Sequence, residues 1–163
     1  MRRYLLGVQC LLDIAKHADL PAERWMTSAE ERGIDMTDIY ISAVSPMILL
    51  SALDKAPVSG YIQQLRENVE TIVQRFVDRK LIAPVTKEIA DRWGKILPQP
   101  LTYKDDAGVT HKYTFHEKLV LATALEGIEG RPFVLVDRRQ EAHRELNLDL
   151  EDPSEGGAND QQP

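Results

Sequence analysis

Several side chains in this sequence are of types that bind metals, carry protons or hold phosphates, and each has a plainer reading beside it. Asp105 and Asp106 are adjacent carboxylates of the kind that ligate hard cations, but Ala107-Gly108 follows them, and acids in that setting more often form turns. Glu117 has the chemistry of a metal ligand; in the first turn of a helix, an acid is equally favoured by the helix dipole, and that structural reading is preferred. Asp13 is read as a solvated helix residue. His111, His116 and His143 lack the close spacing with one another or with cysteine that a zinc site needs, and the single cysteine, Cys10, lies far away in sequence within an apolar run, as a buried thiol would. Arg138 and Arg139 follow an apolar strand, where they can contact phosphates or simply occupy a solvated loop.

These residues need a scaffold, and the apolar pattern supplies one. Residues 4 to 8 read as a buried strand leading at once into a helix over 9 to 16. Pro21 opens a second helix that Gly33 ends. Residues 38 to 44 are rich in β-branched and aromatic side chains and predict a strand, after which Ser45-Pro46 supplies a cap and first turn for a helix over 47 to 54. Ile62, Leu65, Val69, Ile72, Val73 and Phe76 recur at three and four, the pattern of an amphipathic helix. A short strand at 81 to 85 precedes a helix capped by Thr86 and stopped by Pro98 and Pro100. Residues 101 to 115 predict a protruding β-hairpin, 116 to 126 a central helix apolar almost all round, and 133 to 136 a strand covered on both faces. The expected fold class is α/β, three layers, with a mainly parallel central sheet flanked by helices.

Length and charge narrow the classes. A chain of 163 residues fits one domain and hides roughly 70% of its unfolded surface. The net charge of −6 is uneven: five acids and no Lys or Arg lie beyond residue 148, leaving 21 of the 26 acids against all 20 bases before it. Such a body neither demands nor excludes nucleic acid. The domain is expected to span 1–152, with 101–115 as an inserted hairpin and 153–163 as a disordered acidic tail. No stretch approaches the ~20 apolar residues of a membrane span, and Gln9 and Asp13 interrupt the apolar N-terminal run, so a cytoplasmic location is expected.

Tyr4-Leu5-Leu6 leading into a helix, Tyr40-Ile41-Ser42-Ala43-Val44 leading into another, and the buried Ala122-Thr123-Ala124-Leu125 together resemble the VapC-type PIN domains of toxin-antitoxin systems. Ile89-Ala90-Asp91-Arg92-Trp93-Gly94 is similar to a later helix of that family, and the likeness covers roughly residues 3 to 143. The resemblance implies a Mg²⁺- or Mn²⁺-dependent ribonuclease fold in which acids at the C-terminal ends of parallel strands gather metal, since hard cations want oxygen ligands and a phosphodiester under attack needs its charge neutralised. The motifs themselves depart from the family. The first aspartate falls on Gly7, and the usual asparagine two positions on falls on Gln9. The glutamate after the second strand falls on Ile48, the third acid on Glu117, and the last polar and acidic positions near Arg139 and Ala142, with Asp137 the nearest acid.

The resemblance therefore implies a degenerate, non-catalytic or weakly active PIN-like protein that binds RNA or a protein partner, with Glu117 as the one residual candidate metal ligand and Arg138 and Arg139 as candidate RNA contacts. An active Mg- or Mn-dependent endoribonuclease toxin of a type II toxin-antitoxin system, with its site relocated onto Glu117, Asp137 and Asp13, stands as the alternative. A structural subunit docking through the hairpin and acidic tail is a third reading. A homodimer is expected from the family, and no membrane.

Overall fold

The computed structural model describes residues 2–155. β1 (Tyr4–Leu6) sits at the middle of a five-stranded parallel sheet, flanked on one side by β2 (Ile39–Ser42) and β3 (Ile82–Ala83) and on the other by β6 (Val134–Val136) and β7 (Leu150–Glu151). Tyr4, Leu5 and Leu6 pair with Ile39, Tyr40 and Ile41 on one edge and with Val134, Leu135 and Val136 on the other. Both faces are covered, which is why these strands are apolar throughout. One layer holds α1 (Val8–Ala15), α2 (Pro21–Thr27), α3 (Ser45–Lys55) and α4 (Gly60–Asp78), whose Leu65, Val69, Ile72 and Phe76 pack with Leu6, Leu11, Ile39 and Ile41. The opposite layer holds α5 (Lys87–Ile96) and α6 (Phe115–Glu126), packed on Leu5 and Leu135.

The caps fall where small polar residues allow them. Ser59 and Thr86 accept from the backbone N–H three residues on, at 3.1 and 3.2 Å. Thr114 and Glu117 form a reciprocal capping box on α6, each bond 3.1 Å. Gly127 ends that helix at φ +70, where a Cβ would collide with the Arg131 carbonyl. Buried Lys118 donates to the carbonyls of Leu97 and Gln99, both at 2.7 Å, tying the end of α5 to α6.

Four expectations need correction. Ser45 is not the cap of α3: Val44 holds that position, and the Ser45 hydroxyl is buried without a partner. The second helix stops at Thr27, after which the chain turns as far as Gly33. The hairpin, β4 (Thr102–Lys104) and β5 (Thr110–Lys112), does not protrude; it lies back over the C-terminal end of the sheet beside α7 (Glu141–Glu145). Pro153 to Glu155 are folded against the domain through Asp152 and Arg139, so any tail begins later; residues 156–163 lie outside those described.

Candidate functional site

β1 and β6 run parallel and in register, so the residues that leave their C-terminal ends, Gly7 and Asp137, emerge side by side. Gly7 has ordinary extended backbone, φ −66 and ψ 160, so its conformation does not call for glycine. Space does. A Cβ at Gly7 would stand 2.7 Å from Asp137 Cγ and 2.8 Å from its Oδ2. The Asp137 carboxyl thus fills the place where a side chain on β1 would begin, and the acid that the β1 position lacks is supplied from the neighbouring strand.

Asp137 is not an ordinary carboxylate. Burial pushes it up to about 7; the Arg138 backbone N–H, donating at 2.8 Å, works against that shift, and the negative charges of Asp152, Glu117 and Asp13 add to it. Its titration is thereby moved from the usual carboxylate range toward neutrality. Beside it, the ring of His143 on α7 is buried, its Nδ1 accepting from the Gln140 N–H at 3.1 Å. The ring proton therefore sits on Nε2, which faces the Tyr113 hydroxyl at 3.4 Å and Asp137 Oδ2 at 4.0 Å. Burial, helped by the Arg139 charge and opposed by Asp152, lowers His143 to about 4, so the imidazole is neutral. Burial also raises the Tyr113 phenol well above its usual value.

The other acids are engaged. Asp13 is buried, not solvated, which corrects the sequence reading: its Oδ1 accepts from Gln9 at 2.9 Å and Lys16 at 3.4 Å, and its Oδ2 faces Arg138 at 4.0 Å. Burial pushes the Asp152 carboxyl up, but bonds from the Ser154 hydroxyl and N–H and from the Arg139 N–H outweigh it and hold the group below the usual carboxylate range. Glu117 lines the same cavity with one oxygen turned back onto Thr114 N–H. Asp105 caps its own turn through the N–H groups of Ala107 and Val109 and pairs with His111, the turn role expected of it. Ile48 is half-buried against the α6 side of the core and Ala142 is fully buried in it, so neither position offers an oxygen.

The two arginines part company. Arg138 places its guanidinium between Asp13 on α1 and Asp106 at the hairpin tip. Arg139 turns away and pairs bidentately with Glu155 at 2.7 and 2.8 Å. A cavity of about 180 Å³ remains between hairpin and sheet, floored by Val8, Val120 and Leu135 and walled by Tyr103, Tyr113 and Glu117.

This donor set does not suit a divalent ion. Among the described residues, no three His, Cys, Asp or Glu side chains gather as a metal site requires. One Glu117 oxygen is committed to a cap, Asp13 already accepts from Gln9 and Lys16, and the Arg138 guanidinium faces Asp13 at 4.0 Å. The sequence reading missed Tyr113 and Gln140 here and weighed His143 only as a zinc ligand. Asp137 is named from the sequence as the nearest acid, but its place beside Gly7 follows only from the pairing of β1 with β6.

Strand order, layering and the acid-bearing sheet end together define a PIN-like, VapC-like fold. The chain superposes on FitAcB from Neisseria gonorrhoeae with a TM-score of 0.63 at 17% identity, covering 93% of this chain and 98% of that one. It matches FitAB bound to an IR36 DNA fragment equally well, at 0.63 and 16% over 92% and 94%. DNA-bound VapBC from Salmonella typhimurium gives 0.54 and 16% over 94% and 99%. At such identities the likeness is one of fold. No family model and no curated protein sequence matches the chain.

Proposed function

We propose that this chain is a PIN-like protein that acts by binding rather than by cutting RNA. The observation that carries the reading is that the Asp137 carboxyl fills the place of a Gly7 side chain while Asp13, Glu117 and Asp152 are each held by donors of the protein itself, where the family gathers metal. Of the two ligand classes, a protein partner is better supported than RNA. Arg138 and Arg139, the expected phosphate contacts, already hold Asp13, Asp106 and Glu155. The similar structures are of FitAB and VapBC assemblies, which supports a partner of the antitoxin kind. A homodimer and a cytoplasmic location belong to the same proposal; among the described residues no helix is long and apolar enough to cross a membrane.

The test is an RNA cleavage assay in Mg²⁺ and in Mn²⁺. No cleavage above background is expected, and robust cleavage abolished by Glu117→Ala would overturn the reading. The rival, a metal-dependent endoribonuclease with a relocated acidic site, draws support from one fact: Asp137 lies close enough to Asp13 and Glu117 for their charges to raise it. Under that rival, Asp137→Asn would abolish the cleavage as well.

A further inference from the structure

The hairpin raises a separate question, because it reaches the sheet end with very little apolar support. Its base is secured: Leu101 is buried, and the Tyr113 N–H donates to the Leu101 carbonyl at 3.1 Å. Tyr103 of β4 is half-buried, its ring 5.0 Å from that of Tyr113 and 5.2 Å from that of His111; beyond it every residue of β5 is exposed and Val109 is more than half exposed, so the apolar support ends at Tyr103 and does not reach the tip. What holds the tip down is polar. The Gln140 side-chain amide bonds both backbone groups of Lys104, accepting from its N–H and donating to its carbonyl, each at 2.9 Å, as a neighbouring strand would. The Arg138 guanidinium takes Asp106, whose side chain is 81% exposed, while its other edge faces Asp13.

We infer that the hairpin is a latched lid over the cavity that holds Asp137 and Glu117, with Arg138 and Gln140 as the latch. The magnitudes favour a lid over a fixed wall. An exposed ion pair contributes little, and two solvent-facing hydrogen bonds are each modest, so the tip opens far more often than the core unfolds. Arg138 also supplies, from within the chain, positive charge to the acids on both sides of the opening. Lifting the tip breaks its Asp106 pair, leaves the one with Asp13, and uncovers the cavity. The inference does not depend on whether the uncovered site binds or cuts.

Amide hydrogen exchange on the intact chain tests it, comparing wild type with Asp106→Asn, Arg138→Gln and Gln140→Ala. Gln140→Ala should speed exchange of the 104–110 amides about fivefold to tenfold and Asp106→Asn and Arg138→Gln about twofold to fivefold, with the α6 amides unchanged. The Asp106→Asn/Arg138→Gln double variant should open no faster than the faster single one, because the two residues form one contact. Unchanged exchange at 104–110 in all three single variants would overturn the latch. Equal acceleration in α6 would overturn it too, by showing global loosening, and so would full additivity in the double variant.

Discussion

At two positions of the C-terminal end of the sheet the resemblance to PIN domains leads one to expect an acid, and this chain has Gly7 at one and Ile48 at the other. Where β1 meets β6, Gly7 leaves a space that Asp137 fills from the next strand, so a carboxyl stays at the sheet end among Asp13, Asp152 and Glu117. Where β2 runs into α3, Ile48 packs among apolar side chains on the α6 side of the core. One junction has a moved acid, the other a deleted one. The difference teaches that losing a motif residue does not say whether its chemistry is lost, since that depends on what the adjacent strand brings in register.

The comparison can be broken from either side. Gly7→Asp would force two carboxyls into one space, and a loss of about 3 kcal/mol is expected from overpacking and like charge together. Urea unfolding would show it, and adding Asp137→Gly should recover most of the loss; if it does not, Asp137 is not what fills the site. At the other junction, Ile48→Glu should cost about 2 kcal/mol by placing an acid against apolar neighbours. A gain of stability on adding Mg²⁺ to that variant would show that the metal site was only one residue short.

Asp137 and His143 make a prediction in pH. The Asp137 carboxyl is raised from 3.8 to about 7, so the folded state holds the extra proton, and its contribution to stability falls as pH rises through that window. His143 is lowered from 6.5 to about 4, so the unfolded state holds the extra proton, and stability rises with pH between those values. The two oppose each other between pH 4 and 6.5. Asp137→Asn should therefore stabilise the protein at pH 7 by on the order of 2 kcal/mol and leave a stability that climbs with pH up to about 6.5. A variant profile as flat as the wild type would contradict the assignment. The smallest effect is expected at Arg139→Ala, whose exposed pair with Glu155 contributes about 0–1 kcal/mol.

Much of the scaffold was legible in the sequence because it rests on local signals. The apolar runs at Tyr4–Leu6 and Val134–Val136 are strands, the spacing from Ile62 to Phe76 is a helix, and Thr86 sits next to the helix it caps. The missed parts depend on contacts distant in sequence. β7 is only Leu150–Glu151, too short for a pattern, and exists because it pairs with β6. Asp13 lies among polar residues that suggest a solvated face, yet Arg138, 125 positions later, covers it. The hairpin's lie over the sheet end involves the Gln140 amide on the Lys104 backbone and the Arg138–Asp106 pair, whose partners outside the hairpin lie more than thirty positions away in sequence. Gly7 was legible as a missing ligand. That Asp137 stands in its place was not, because the register of β1 on β6 is a tertiary fact.

On the proposed reading, the acids of the sheet end are held by the protein's own donors and hold no metal. Calorimetric titration of the intact protein with Mn²⁺ at pH 7 tests it most directly. No saturable binding is predicted; one Mn²⁺ bound per chain, lost in Asp137→Asn, would contradict the account.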